Sequence, residues 1–149
     1  MKLSLSLAFA LIPWIWATPA LGDPSPALLH QYQAIQQLQD TGACAACDLS
    51  GTDLQGFHLI GSDLRYANLQ GTNLADANLE GADLTGANLT GAILDRATLS
   101  NALLNEAILD SASLVEVQMY HAEVKNTSFQ DVNLQQAQVY GTEIFVGGD

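Results

Sequence analysis

The chain has 149 residues and a formal net charge of −12, with four Lys plus Arg against sixteen Asp plus Glu. So few basic side chains leave almost no donors for the phosphate contacts that drive nucleic-acid binding, so direct DNA or RNA binding is not expected. The length has room for one domain.

Residues 1–22 carry one basic residue, Lys2, then an apolar run from Leu3 to Ala17, then Ala20 and Gly22, small residues at the two sites a signal peptidase reads. We expect a signal peptide over 1–22, cleaved before Asp23. Ser4, Ser6 and Pro13 interrupt a run barely long enough to span a bilayer, so no stable membrane insertion is expected after cleavage. No Cys lies near the cleavage site, so a lipid anchor is not indicated.

From Asp23 to Gly42 the pattern is helical. Ser25 can cap, Pro26 suits the first helical position, and Leu28, Leu29, Tyr32, Ile35 and Leu38 recur at spacings of three and four before Gly42 supplies a stop.

The stretch from Cys47 to Val146 then repeats every five residues. Its apolar centres are Leu49, Leu54, Leu59, Leu64, Leu69, Leu74, Leu79, Leu84, Leu89, Leu94, Leu99, Leu104, Leu109 and Leu114, followed by Met119, Val124, Phe129, Leu134, Val139 and Ile144. Two residues before each centre stands a small or modest side chain, most often Ala. On an α-helix five residues advance about 500°, which smears the centres around the axis. On a straight strand an odd step sends alternate centres to opposite faces. A bend in every repeat resolves both conflicts: small residue and centre point inward from a short extended piece, and the other three face out. If each corner turns about 90°, four repeats close a coil of 20 residues, and stacked coils make a parallel β-solenoid. The N-terminal helix is the expected lid over the apolar end of such a rod.

Cys47 falls at a small position and Cys44 in the register of a centre. In an exported chain the expected outcome is a short-range disulfide pinning the helix to the first coil. A thioredoxin-like role lacks its strand and helix context. A metal site would need two more ligands, and His30, His58 and His121 are scattered.

Units such as Ala67-Asn68-Leu69-Gln70-Gly71, Ala77-Asn78-Leu79-Glu80-Gly81, Ala82-Asp83-Leu84-Thr85-Gly86 and Ala87-Asn88-Leu89-Thr90-Gly91 resemble those of the pentapeptide-repeat family. The resemblance implies an all-β solenoid, a right-handed quadrilateral parallel β-helix of about five coils of four repeats. Together with the helical segment it implies this organisation: signal peptide 1–22, capping helix and C-x-x-C corner 23–46, β-helix 47–146, tail 147–149. The arrangement of helix, Cys44, Cys47, Asp48, Leu49, Ser50 and Gly51 is similar to that of exported members from photosynthetic prokaryotes, implying a thylakoid lumen or periplasm. From Ile93 onward the outward Asp and Asn and the corner Gly become sparse, so the later turns are expected to be less regular.

A 20-residue coil turns each side of the rod into a column. One side shows Asp63, Asp83, Leu103, Glu123 and Glu143, with Arg65 and Lys125 as its counter-charges. Another carries Ile60, Tyr120 and Tyr140 with His58 and His121, and its one outward acid is Glu80. Ile60, Tyr120, His121 and Tyr140 are the candidate partner surface, with Tyr120 and Tyr140 expected to stack on neighbouring coils. At the far end Phe145 and Val146 could fold over the last coil, or that end could pair with a second copy; monomer and end-to-end dimer both remain open. No catalytic constellation, phosphate-cradling loop or metal cluster is recognisable, and no cofactor is expected. The leading reading is therefore a non-enzymatic exported scaffold or protein-interaction module with an unknown protein partner. The alternatives are an acidic DNA mimic that binds a type II topoisomerase, implied by the resemblance, and a cation-binding module on the acidic side.

Overall fold

The structure, a computed structural model, describes residues 25–144. The expected signal peptide and its cleavage point, the fold-over of Phe145 and Val146, and the tail 147–149 lie outside the described residues.

Backbone pairing gives the coil its size. Residues twenty apart bridge in parallel: Asp63↔Asp83, Asp83↔Leu103 and Leu103↔Glu123 on one side, Asp48↔Asn68 on the next, Asp53↔Asn73 and His58↔Asn78 on the other two. The centres from Leu49 to Leu114 donate their N–H to the outward residue of the following coil, as Leu49 does to the Asn68 carbonyl at 2.8 Å. From Asp63 to Gln138 the outward residues donate back to the preceding coil, as Asn68 does to Cys47 at 2.9 Å. The chain is thus a four-sided β-helix. Among the described residues its ladders lengthen into strands on one side, β1 (Gln118–Tyr120) and β2 (Gln138–Tyr140), which pair in parallel with Tyr120 opposite Tyr140.

At each corner the chain bends through a residue with positive φ, one every five from Ala46 to Gly141. Glycine occupies most of these corners up to Gly91, where its lack of a Cβ suits the left-handed region. The expected loss of regularity beyond Ile93 does not occur. Arg96, Asn101, Glu106, Ser111, Glu116, His121, Asn126, Asp131 and Gln136 all hold φ between 54° and 62°. The inward centres and the coil-to-coil bonds dictate the bend, and those later residues accept the local strain.

The capping of the turns changes along the rod as well. In the early coils the outward Asp or Asn accepts from the N–H two residues on: Asp53 from Gln55 at 3.2 Å, Asn68 from Gln70 at 3.3 Å, Asp83 from Thr85 at 3.0 Å. At three later turns the acceptor comes from the preceding coil, while Asn133 keeps the early pattern and accepts from Gln135 at 3.2 Å. Asp95 accepts from the N–H of Val115 at 3.1 Å, Asn105 from Lys125 at 2.9 Å, and Asp110 from Gln130 at 3.0 Å.

The interior is a stack of leucines. Every centre from Leu49 to Leu114 is at most 3% exposed, and the alanines from Ala77 to Ala112 lie beside them. Each such Leu contributes roughly 1.5–3 kcal/mol through burial. Polar intruders are satisfied: the Ser62 hydroxyl donates to the Leu59 carbonyl at 2.8 Å and the Thr72 hydroxyl to Leu49 at 2.7 Å. Packing thins in the last coil, where Val124, Leu134 and Ile144 are half-buried and Val139 is exposed.

Helix α1 (Pro26–Thr41) is capped by the Ser25 hydroxyl, which accepts from the N–H of Leu28 at 3.3 Å. It stops at Gly42, φ 67°, whose N–H donates to the Leu38 carbonyl at 2.9 Å. Its lid role is confined to one half. Leu38 is buried, Ala34 and Ile35 pack against the core, and Gln31 and Gln37 donate to the carbonyls of Ser50 and Ala43 at 2.9 and 2.8 Å. Leu28, Leu29 and Tyr32 point to solvent. Sixteen helical residues run about 24 Å, whereas a side of three extended residues spans about 10 Å, so α1 overhangs the coil it covers.

Candidate interaction surface

The side that bears β1 and β2 is built by the columns His58, Asn78, Thr98, Gln118, Gln138 and Ile60, Glu80, Ser100, Tyr120, Tyr140. Because the centre between these two columns points inward, both are forced outward. Ile60 is 61% and Tyr140 70% exposed. Tyr120 is half-buried and His121, at the adjoining corner, is exposed.

Pairing of β1 with β2 sets the Tyr120 and Tyr140 backbones side by side, yet their rings do not stack. The Tyr120 hydroxyl donates to Gln138 Oε1. The aromatic pair that forms is His121 with Tyr140, ring centroids 5.5 Å apart and edge to face at 86°. The positive φ of His121, 54°, projects its imidazole over the next coil, where it covers Gly141. Tyr66 covers Gly86 in the same manner one corner column away. Sequence spacing sets Tyr66 twenty residues from Gly86, but only the three-dimensional corner reveals that the two touch.

The acidic side differs in character along its length. Arg65 binds Asp63 through two nitrogens at 2.8 and 2.7 Å and lies 3.8 Å from Asp83. The guanidinium hydrogen bond holds the Asp63 carboxyl below the usual carboxylate range and raises the pKa of Arg65 in turn. Further along, Glu123 accepts from Asn105 Nδ2 at 3.1 Å. With Glu143, Lys125, Asn126 and Val124 it lines an open depression of about 520 Å³. Among the described residues no three His, Cys, Asp or Glu side chains converge as metal ligands. On the opposite side of the coil, at the corner that follows Leu74 and Leu94, Arg96 grips Asp76 at 2.7 and 2.8 Å, which lowers the Asp76 pKa.

Cys44 and Cys47 form a disulfide with Cα atoms 5.3 Å apart, closing the first corner beneath α1. Cys44 continues the inward column of Leu64 and is fully buried, its N–H donating to the Asp63 carbonyl at 2.7 Å.

The family described as pentapeptide repeats matches in eight copies, over residues 44–81, 72–110 and 82–119. A pentapeptide repeat protein of the Arabidopsis thaliana thylakoid lumen superposes with a TM-score of 0.52 at 33% identity, over 68% of this chain and 71% of that one. A pentapeptide repeat protein from Nostoc PCC 7120 gives 0.50 at 32% identity, over 72% of this chain and 93% of that one. HetL, a pentapeptide repeat protein of Nostoc sp. strain PCC 7120 involved in the regulation of heterocyst differentiation, gives 0.52 at 24% identity, over 67% and 60% of the two chains, and shares the fold. No curated protein matches. The five-residue period, the four-sided coil and these matches agree: the chain belongs to the pentapeptide repeat family.

Proposed function

We propose that this protein is a non-enzymatic scaffold that acts in an exported compartment and docks another protein on the side carrying Ile60, Tyr120, His121 and Tyr140. One observation carries the reading. In a chain of net charge −12, that side presents Glu80 as its single outward acid together with an isoleucine and a tyrosine more than half exposed. Exposed aromatic residues on a side poor in charge are the composition of a contact core. The rod supplies rigidity, since each column is fixed by coil-to-coil hydrogen bonds.

The exported compartment is supported by the leader-like segment 1–22, by the disulfide and by similarity to a thylakoid-lumen protein. The domain boundaries proposed with it are 1–22, 23–46, 47–146 and 147–149. The acidic-mimic alternative draws on the family resemblance, net charge and rod shape, but Arg65 pairs two of the carboxylates such a surface would present.

Site-specific cross-linkers placed at Ile60 and Tyr140 in the native compartment test the reading. A single partner captured from both positions, and lost with Tyr140→Ser in a normally folded protein, supports it. Capture unaffected by Tyr140→Ser and Tyr120→Ser overturns it. Fractionation with mass analysis of the mature N-terminus tests the compartment separately, and an uncleaved cytoplasmic chain would reject export.

A further inference from the structure

We propose that Cys47 is a thiol-exchange site, the sulfur through which an external dithiol opens the Cys44–Cys47 bridge, with α1 seated over the leaving sulfur, Cys44, and so setting how readily that sulfur departs. The two sulfurs have unlike surroundings. Cys44 is 0% exposed, lies in one apolar cluster with Leu38, and sets its Sγ 3.4 Å from the Ala34 carbonyl of α1. Cys47 packs against the edge of the same cluster but is only partly buried, and the two residues before it, Ala45 and Ala46, are exposed. A nucleophile arriving from solvent therefore meets Cys47 first.

The exchange is then fixed in direction. A thiolate of the reductant attacks Cys47 Sγ and forms a mixed disulfide. The Cys44–Cys47 bond breaks, its electron pair goes to Cys44, and that sulfur takes up a proton beneath α1. The reductant's second thiolate attacks the mixed disulfide, closes the reductant's own disulfide and releases Cys47 as a thiolate. Two electrons pass from the dithiol to the protein. Reduced Cys44 is placed to donate its new S–H to the Ala34 carbonyl, so the helix seat itself accepts the buried product.

Charge selects the reductant. Asp48 follows Cys47 directly, and its carboxyl is held below the ordinary range by the Ser50 hydroxyl, the Ser50 N–H and the Asn68 amide. Asp63, on the neighbouring side, is paired with Arg65, so the unpaired charge beside Cys47 is that of Asp48. An anionic thiolate is repelled there, and one carried on a neutral or basic surface fits better.

Single-cysteine variants test the assignment with 5,5′-dithiobis(2-nitrobenzoate). Cys47 in Cys44→Ala is expected to react about tenfold faster than Cys44 in Cys47→Ala. Because either variant could fold poorly, the unmodified chain is also trapped with cysteamine and its adduct mapped by peptide mass, with the adduct expected on Cys47. At equal thiolate concentration cysteamine is expected to outpace mercaptoacetate, with added salt narrowing the gap. Leu38→Ala, which unseats α1, is expected to speed reduction of the native bridge by dithiothreitol. An adduct on Cys44, equal labelling rates in folded variants, or a reduction rate indifferent to Leu38→Ala overturns the proposal.

Discussion

Tyr66 and Gly86 meet across two coils: a Cβ built at Gly86 would lie 2.5 Å from Cδ1 and Cε1 of the tyrosine ring. Both residues sit at corners with positive φ, 57° and 67°, so the ring covers a stretch of backbone that has no side chain of its own. Gly86→Ala must displace the ring and also hold alanine in the left-handed region. Gly81→Ala at φ 65° meets nothing within 4 Å and carries the backbone strain alone, about 1 kcal/mol. Gly86→Ala is expected to lower the melting temperature more than Gly81→Ala. A double-mutant cycle with Tyr66→Ala is expected to show coupling between 66 and 86, and strict additivity would refute the contact.

The later corners offer the opposite experiment. Glu106 holds φ 62° with an exposed side chain, so Glu106→Gly removes strain without removing packing. A gain of up to about 1 kcal/mol is expected in chemical denaturation. A loss would show that the corner is held by something other than glycine-like geometry.

Caps supplied by the preceding coil should matter beyond their own turn. Asp95 accepts from the Ser113 hydroxyl at 2.5 Å and from the Val115 N–H at 3.1 Å. Asp95→Ala strands both donors and is expected to destabilise by about 1–2 kcal/mol. Hydrogen exchange should show the amide of Val115 losing protection. An unchanged exchange rate at Val115 would remove the cap from the account.

In the interior, Leu89→Asp places a carboxylate in a site with 0% exposure, stacked between neighbouring coils. A loss above about 4 kcal/mol is expected, concentrated in the adjoining coils because repeats lean only on their neighbours. An unchanged melting curve would contradict the inward assignment.

Acid should weaken the rod through its paired carboxylates. Arg65 lowers the pKa of Asp63 and Arg96 that of Asp76, both from 3.8. A carboxyl with a depressed folded pKa stabilises the fold above 3.8 and loses that contribution as pH falls through its folded value. The melting temperature of the native chain is therefore expected to fall further between pH 4 and 2 than that of the double variant Asp63→Asn, Asp76→Asn. Parallel curves would show that these pairs make no difference to stability.

Much of this was legible from the residues alone because the period of five admits so few geometries. Inward leucines, a bend in every repeat and the Ser25 and Gly42 caps of α1 follow from local spacing and side-chain size, and four repeats per coil was what the family resemblance implied. The regular corners at Glu106 or Gln136 were not legible, since there the local preference points away from positive φ and the stacked coils override it.

Sequence by itself therefore determined which residues face the axis, because that depends on neighbours within a few positions. Tertiary structure decided what the outer surface became: His121 rather than Tyr120 against Tyr140, Tyr66 over Gly86, Asp95 capping Val115, and half of α1 left bare. Each of those contacts joins residues about twenty or more apart, or depends on how far a helix outreaches the coil beneath it. Such relations arise only once the coils are stacked.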